Sequence, residues 1–128
     1  MSYYFSKTVK GTCIEVLEKV TVSLKNEGFG ILTEIDVRET LKKKMDVNFR
    51  NYKILGACNP PFAYRALQAE DKIGVMLPCN VIVQEIAENN VEVAAVDPIA
   101  SMKAIENQEL SGIATQVQEK LRNVVNNL

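Results

Sequence analysis

Between Ser2 and Lys10 the chain sets Tyr3, Phe5, Lys7 and Val9 against Tyr4, Ser6, Thr8 and Lys10, a two-residue period rich in aromatic and β-branched side chains. That pattern predicts a strand. Thr12 and Glu15 stand at the spacing of a capping box, so a helix is expected to begin there. Cys13, Leu17, Val20 and Leu24 mark its inner face, and Gly28 is the residue able to stop it. Residues 29–35 read as a second strand carrying Phe29, Ile31, Thr33 and Ile35 on one side. Asp36 and Glu39 repeat the capping-box spacing ahead of a short helix whose stripe is Val37, Leu41 and Met45.

A third strand is expected from Phe49 to Cys58, with Tyr52 and Ile54 on one face. Asn59-Pro60-Pro61 reads as the next helix start, because asparagine is a favoured cap and proline is tolerated in the first turn. Ala63, Ala66 and Leu67 would give that helix a small-residue inner face. Residues 79–86 alternate Cys79, Val81, Val83 and Glu85 with Asn80, Ile82, Gln84 and Ile86, and Asn89-Asn90 supplies turn chemistry before a strand from Val91 to Val96. A tight turn makes these two strands antiparallel. The chain closes on Leu110, Ile113, Ala114, Val117, Leu121, Val124, Val125 and Leu128, a helical stripe. The expected architecture is α+β: an antiparallel sheet with helices packed on one face, in the order strand, helix, strand, short helix, strand, short helix, hairpin, long helix. No linker or fixed-period repeat interrupts it, so residues 1–128 read as a single domain.

Composition adds exclusions. With 47% hydrophobic and 24% charged residues the chain lies far from the composition of disordered segments. Fifteen Lys and Arg against sixteen Asp and Glu leave no field to draw it to nucleic acid or an anionic membrane, so neither is expected as a partner. Met1 to Lys10 lacks the apolar core of a secretory signal, and the most apolar stretch, Ile73 to Val83, is broken by Pro78 and Asn80 and too short to span a bilayer. Three cysteines, an odd number, argue against a disulfide framework and suit a reducing cytoplasm. There is no histidine, which removes His-dependent catalytic triads and His-containing zinc motifs. No metal site is expected, and no cofactor can be named.

Two segments are left unexplained by composition: Cys58-Asn59-Pro60-Pro61 and Pro78-Cys79-Asn80 each set a thiol beside an asparagine and a proline at a strand end. If Asn59 caps a helix, Cys58 lies just outside its N-terminus, where the helix dipole favours the thiolate. Against this stands the ordinary behaviour of free cysteine as a small buried hydrophobe, which is the expectation for Cys13. Tyr64 and Arg65 follow the Pro-Pro step and are placed to line a pocket beside Cys58. Glu34 and Asp36, two apart at a strand end, share a face and form a candidate acid-base pair, although Asp36 also reads as a helix cap. The run Lys42-Lys43-Lys44 reads as a solvated helix end that complements the dipole.

The segments Gly28 to Gly30, Glu34 to Asp36, Ile54 to Pro60, Leu77 to Val81 and Val96 to Pro98 together resemble the small prokaryotic proteins grouped as domain of unknown function 302. The resemblance covers nearly the whole chain. It implies a TATA-binding-protein-like fold, in the order strand, helix, four strands, helix with extra short helices, and it implies a homodimer. It assigns no activity. The positions it marks are Glu34, Asp36, Cys58, Asn59, Pro60, Pro78, Cys79 and Asn80.

Two functions follow as expectations. The first is a non-catalytic domain for assembly or for binding a small molecule, with a pocket rimmed by Cys58, Asn59, Cys79 and Asn80. The alternative is a thiol-based redox enzyme or sensor in which Cys58 reacts and Cys79 resolves it as a disulfide.

Overall fold

The computed structural model describes residues 2–128. Strand β1 (Tyr4–Lys10) leads into helix α1 (Cys13–Asn26), which begins on the expected capping box: Thr12 Oγ1 accepts from the Glu15 amide at 3.2 Å and the Glu15 carboxylate takes the Thr12 amide. Gly28, at φ 87°, ends it. Its amide donates to Lys25 O and that of Phe29 to Leu24 O, the paired bonds of a Schellman stop, with Leu24 and Phe29 both buried. The inner face is turned slightly from the expected one: Val16, Val20, Ser23 and Leu24 are buried, whereas Cys13 and Leu17 lie at its edge, half-buried.

Strand β2 (Gly30–Asp36), helix α2 (Val37–Met45), strand β3 (Tyr52–Cys58) and helix α3 (Pro60–Ala69) follow. A 3-10 turn over Asp71–Met76 then leads to the hairpin of β4 (Cys79–Ala87) and β5 (Asn90–Val96). The hairpin turns on Glu88 and Asn89, one residue earlier than the sequence suggests, with Asn89 in the left-handed region at φ 58°. A single turn of helix, α4 (Pro98–Ser101), precedes the long α5 (Gln108–Asn126). The 3-10 turn and α4 have no periodicity by which a sequence reading finds them.

All strands are antiparallel in the order β1-β5-β4-β3-β2, which is the α+β architecture expected. One face of the sheet carries Val9, Leu55, Val81, Val83, Val91, Val93 and Ala95, all buried against α1 and α5. Each such valine or leucine contributes roughly 1.5–3 kcal/mol of transfer free energy. Every residue of the predicted α5 stripe from Leu110 to Val125 is buried, and Leu128 is half-buried.

Two expectations fail for physical reasons. The face predicted for β2 does not hold, because a bulge shifts its register between Ile31 and Thr33: Ile31 stands opposite Ala57 on the helix side, while Thr33 and Ile35 stand opposite Gly56 and Ile54 on the other. The extra residue, Leu32, is pushed out and is exposed. Helix α2 buries none of its side chains, and Met45, expected in its stripe, is 66% exposed. Asp36 Oδ1 caps it by accepting from the Glu39 amide at 2.9 Å, but Glu39 turns outward to Lys43 at 2.7 Å and does not complete the box. Lys42 pairs with Asp46, so the lysine run is a solvated helix end as read.

Candidate functional site

Ala57 near the end of β3 lies directly opposite Cys79 at the start of β4. The chain leaves β3 through Cys58, Asn59 and Pro60 at the same edge where Leu77-Pro78 enters β4, so the two thiol segments meet. Together with α3 and the first half of α5 they border a half-open cavity of about 340 Å³, within the range of roughly 300–1,000 Å³ usual for small-molecule sites.

The sheet contributes Ala57, Cys58 and Cys79 to the wall; α3 contributes Phe62, Ala63 and Ala66; α5 contributes Leu110, Ile113 and Val117. Phe29, Leu77, Pro78 and Met102 complete it, and the exposed Leu32 and Leu67 stand at its edge. The small side chains of α3 leave the space, since Ala63 and Ala66 stand where larger residues would reach α5. Outside the cavity the Phe62 ring is faced by Arg65 and Lys120, with cations 5.4 and 5.9 Å from its centre.

The wall offers little polarity. Asn59 is buried, and its Nδ2 donates to the Glu27 carbonyl at 3.2 Å, one of the carbonyls that the end of α1 leaves without a helical partner. Asn59 stands at the N-cap of α3, yet its side chain makes no cap bond. The predicted capping role therefore gives way to a tie between α3 and α1. Gly28 makes room for it, because a Cβ there would stand 3.0 Å from Asn59 Nδ2.

Cys58 is half-buried and Cys79 buried, and both thiols are free. Burial pushes the Cys79 thiol up to about 11, and a charge on Cys58 pushes in the same direction. Cys79 is thus held protonated at neutral pH. Cys13 lies away from the cavity, and its thiol is also raised, first by burial and then by Glu85, with Lys53 opposing.

The remaining sequence candidates fall elsewhere. Asn80 is exposed on the opposite face of the sheet, beside Tyr52 and Ile82, because one step along a strand reverses the side chain. Pro60 and Tyr64 are exposed on α3 outside the cavity, Tyr64 at 65%. Glu34 pairs with Lys53 at 3.2 Å, and Asp36 caps α2; both edge a separate shallow hollow with Glu39 and Lys43. Conversely, Ile113 and Val117 read as core in the sequence, and nothing in their spacing says that one end of the stripe borders a void. Among the described residues no cluster of three or more His, Cys, Asp or Glu is arranged to hold a metal ion. None of their helices is long and apolar enough to cross a membrane.

Fold and site define a small α+β domain with an apolar cavity at one end of its sheet and two thiols in the cavity wall. Residues 5–128 match the family described as domain of unknown function DUF302, and the chain belongs to that family. It is similar to a solved structure, "Crystal structure of uncharacterized conserved protein DUF302 from Bacillus stearothermophilus", at 27% sequence identity with a TM-score of 0.90 over 98% of each chain. No curated protein gives a significant match.

Proposed function

We propose that this domain binds a small, mainly apolar molecule in the cavity between the ends of β3 and β4 and helices α3 and α5. One observation carries the reading: a space of about 340 Å³ is kept open inside a wall of aliphatic and aromatic side chains. Its polar members are either engaged, as Asn59 is with Glu27, or held neutral, as Cys79 is. Such a wall rewards hydrocarbon and penalises any charge placed against it. The raised pKa of Cys79 speaks against that thiol as the resolving nucleophile of an exchange pair. The test is native mass spectrometry of protein taken directly from its host, followed by solvent extraction. The reading predicts an apolar molecule released in stoichiometric amount, and a consistently empty chain counts against it.

The self-association implied by the family resemblance has a suitable surface in the uncovered sheet face. Tyr4, Ile35, Ile54, Ile82, Ala94 and Val96 form an apolar strip there, and Arg50, Gln84 and Glu92 are joined by hydrogen bonds of 2.8 Å along its edge. Tyrosine and aliphatic side chains with little net charge suit a second copy of the same face, paired about a two-fold axis.

A further inference from the structure

Beside the apolar cavity lies a second, smaller one of about 230 Å³ under the connection between α4 and α5. Met102, Leu110 and Ala114 belong to the walls of both. The two spaces are therefore separated by three side chains, of which only Met102 belongs to a connecting segment. Methionine is unbranched and adapts its shape readily, so it is a divider that can swing aside.

The second chamber differs from the first in chemistry. Besides Ile99 and Ile105, its wall holds Lys103 and Ser111. Lys103 is exposed and makes none of the ion pairs found among the described residues, in contrast to Lys42, Lys43, Lys53 and Lys72. Ser111 lies in the first turn of the 19-residue α5, where the positive end of the helix dipole adds to the cation. Glu106 and Glu109 are exposed and stand outside the wall.

Resting on the apolar-ligand reading above, we infer that the two chambers form one site for an amphiphile with an aliphatic tail and an anionic carboxylate head. The tail lies in the large cavity along Phe62, Ile113 and Val117, passes Met102, and presents its head to Lys103 and Ser111. No charged group then has to enter the wall that carries Cys79.

Calorimetric titration of the full chain with decanoate and with decanol, at neutral pH, separates the parts. Decanoate is expected to bind about fivefold more tightly than decanol, the scale of one partly exposed charge contact. Lys103→Gln should remove that preference and leave decanol affinity and the melting temperature unchanged. Equal affinity for the two compounds, or a preference that survives Lys103→Gln, overturns the head-group assignment while the apolar-cavity reading stands. Failure of both compounds to bind overturns both readings.

Discussion

The side-chain amide of Asn59 donates to the main-chain carbonyl of Glu27, so the loop leaving β3 is fastened to the end of α1. This bond joins two layers of the fold at the cavity edge and satisfies a half-buried helix-terminal carbonyl. Asn59→Ala should lower stability by about 1–2 kcal/mol, the cost of leaving a part-buried acceptor without its donor. A carboxylate at the same place has no donor to offer, so Asn59→Asp should cost more at neutral pH. Thermal unfolding of the two variants beside the natural chain checks both, and equal melting temperatures would remove the tie from the account.

Gly56 makes the second sharp prediction. A Cβ there would stand 2.2 Å from Thr33 Oγ1 and 2.7 Å from Pro78 Cγ, and the proline ring cannot swing away. Gly56→Ala should destabilise the domain by about 1–3 kcal/mol, as overpacking does. Because Thr33 follows the β2 bulge and Pro78 lines the cavity, the variant should also weaken decanol binding. Chemical denaturation and calorimetry read the two effects separately.

Cys79 should make stability depend on alkaline pH. Its thiol rises from 9.0 to about 11 on folding, so the native state holds its proton more tightly than the unfolded chain does. The contribution is present in full below pH 9 and is lost as pH rises toward about 11. By linkage it amounts in full to about 3 kcal/mol. Comparing unfolding at pH 8 and pH 11 for the natural chain and Cys79→Ala isolates it, since the other titrating groups are common to both. The same burial predicts slow alkylation of folded Cys79 at neutral pH, and rapid labelling there would restore the thiol-exchange reading.

The uncovered sheet face predicts a homodimer. Sedimentation at micromolar concentration should show a two-chain species, and Ile82→Lys, at the centre of the apolar strip, should return it to single chains without loss of fold. A natural chain that sediments alone at that concentration contradicts the proposal.

The parts of this structure legible in the sequence are those fixed by local chemistry. Thr12 with Glu15, the Gly28 stop and the stripe from Leu110 to Val125 each state their geometry within a few residues, and each forms. The segments of Cys58 and Cys79 border one cavity, but the sequence by itself does not show that their strand ends are neighbours. What stayed hidden depends on tertiary placement. Leu32 is an ordinary alternating residue until the bulge expels it, and Asn59 looks like any helix cap until α1 brings the Glu27 carbonyl to its amide. Ala63 and Ala66 read as close packing, although here their smallness leaves a cavity. A void has no sequence pattern, since it arises from what several distant side chains fail to fill.

Titration of the natural chain and of Ala63→Leu with decanol tests the central claim most directly, because the added side chain fills cavity volume from the half-buried face of α3. The account predicts saturable binding by the natural chain, binding weakened about tenfold or more in the filled variant, and folding preserved in both. Absence of binding to the natural chain, or undiminished binding to Ala63→Leu, would contradict it.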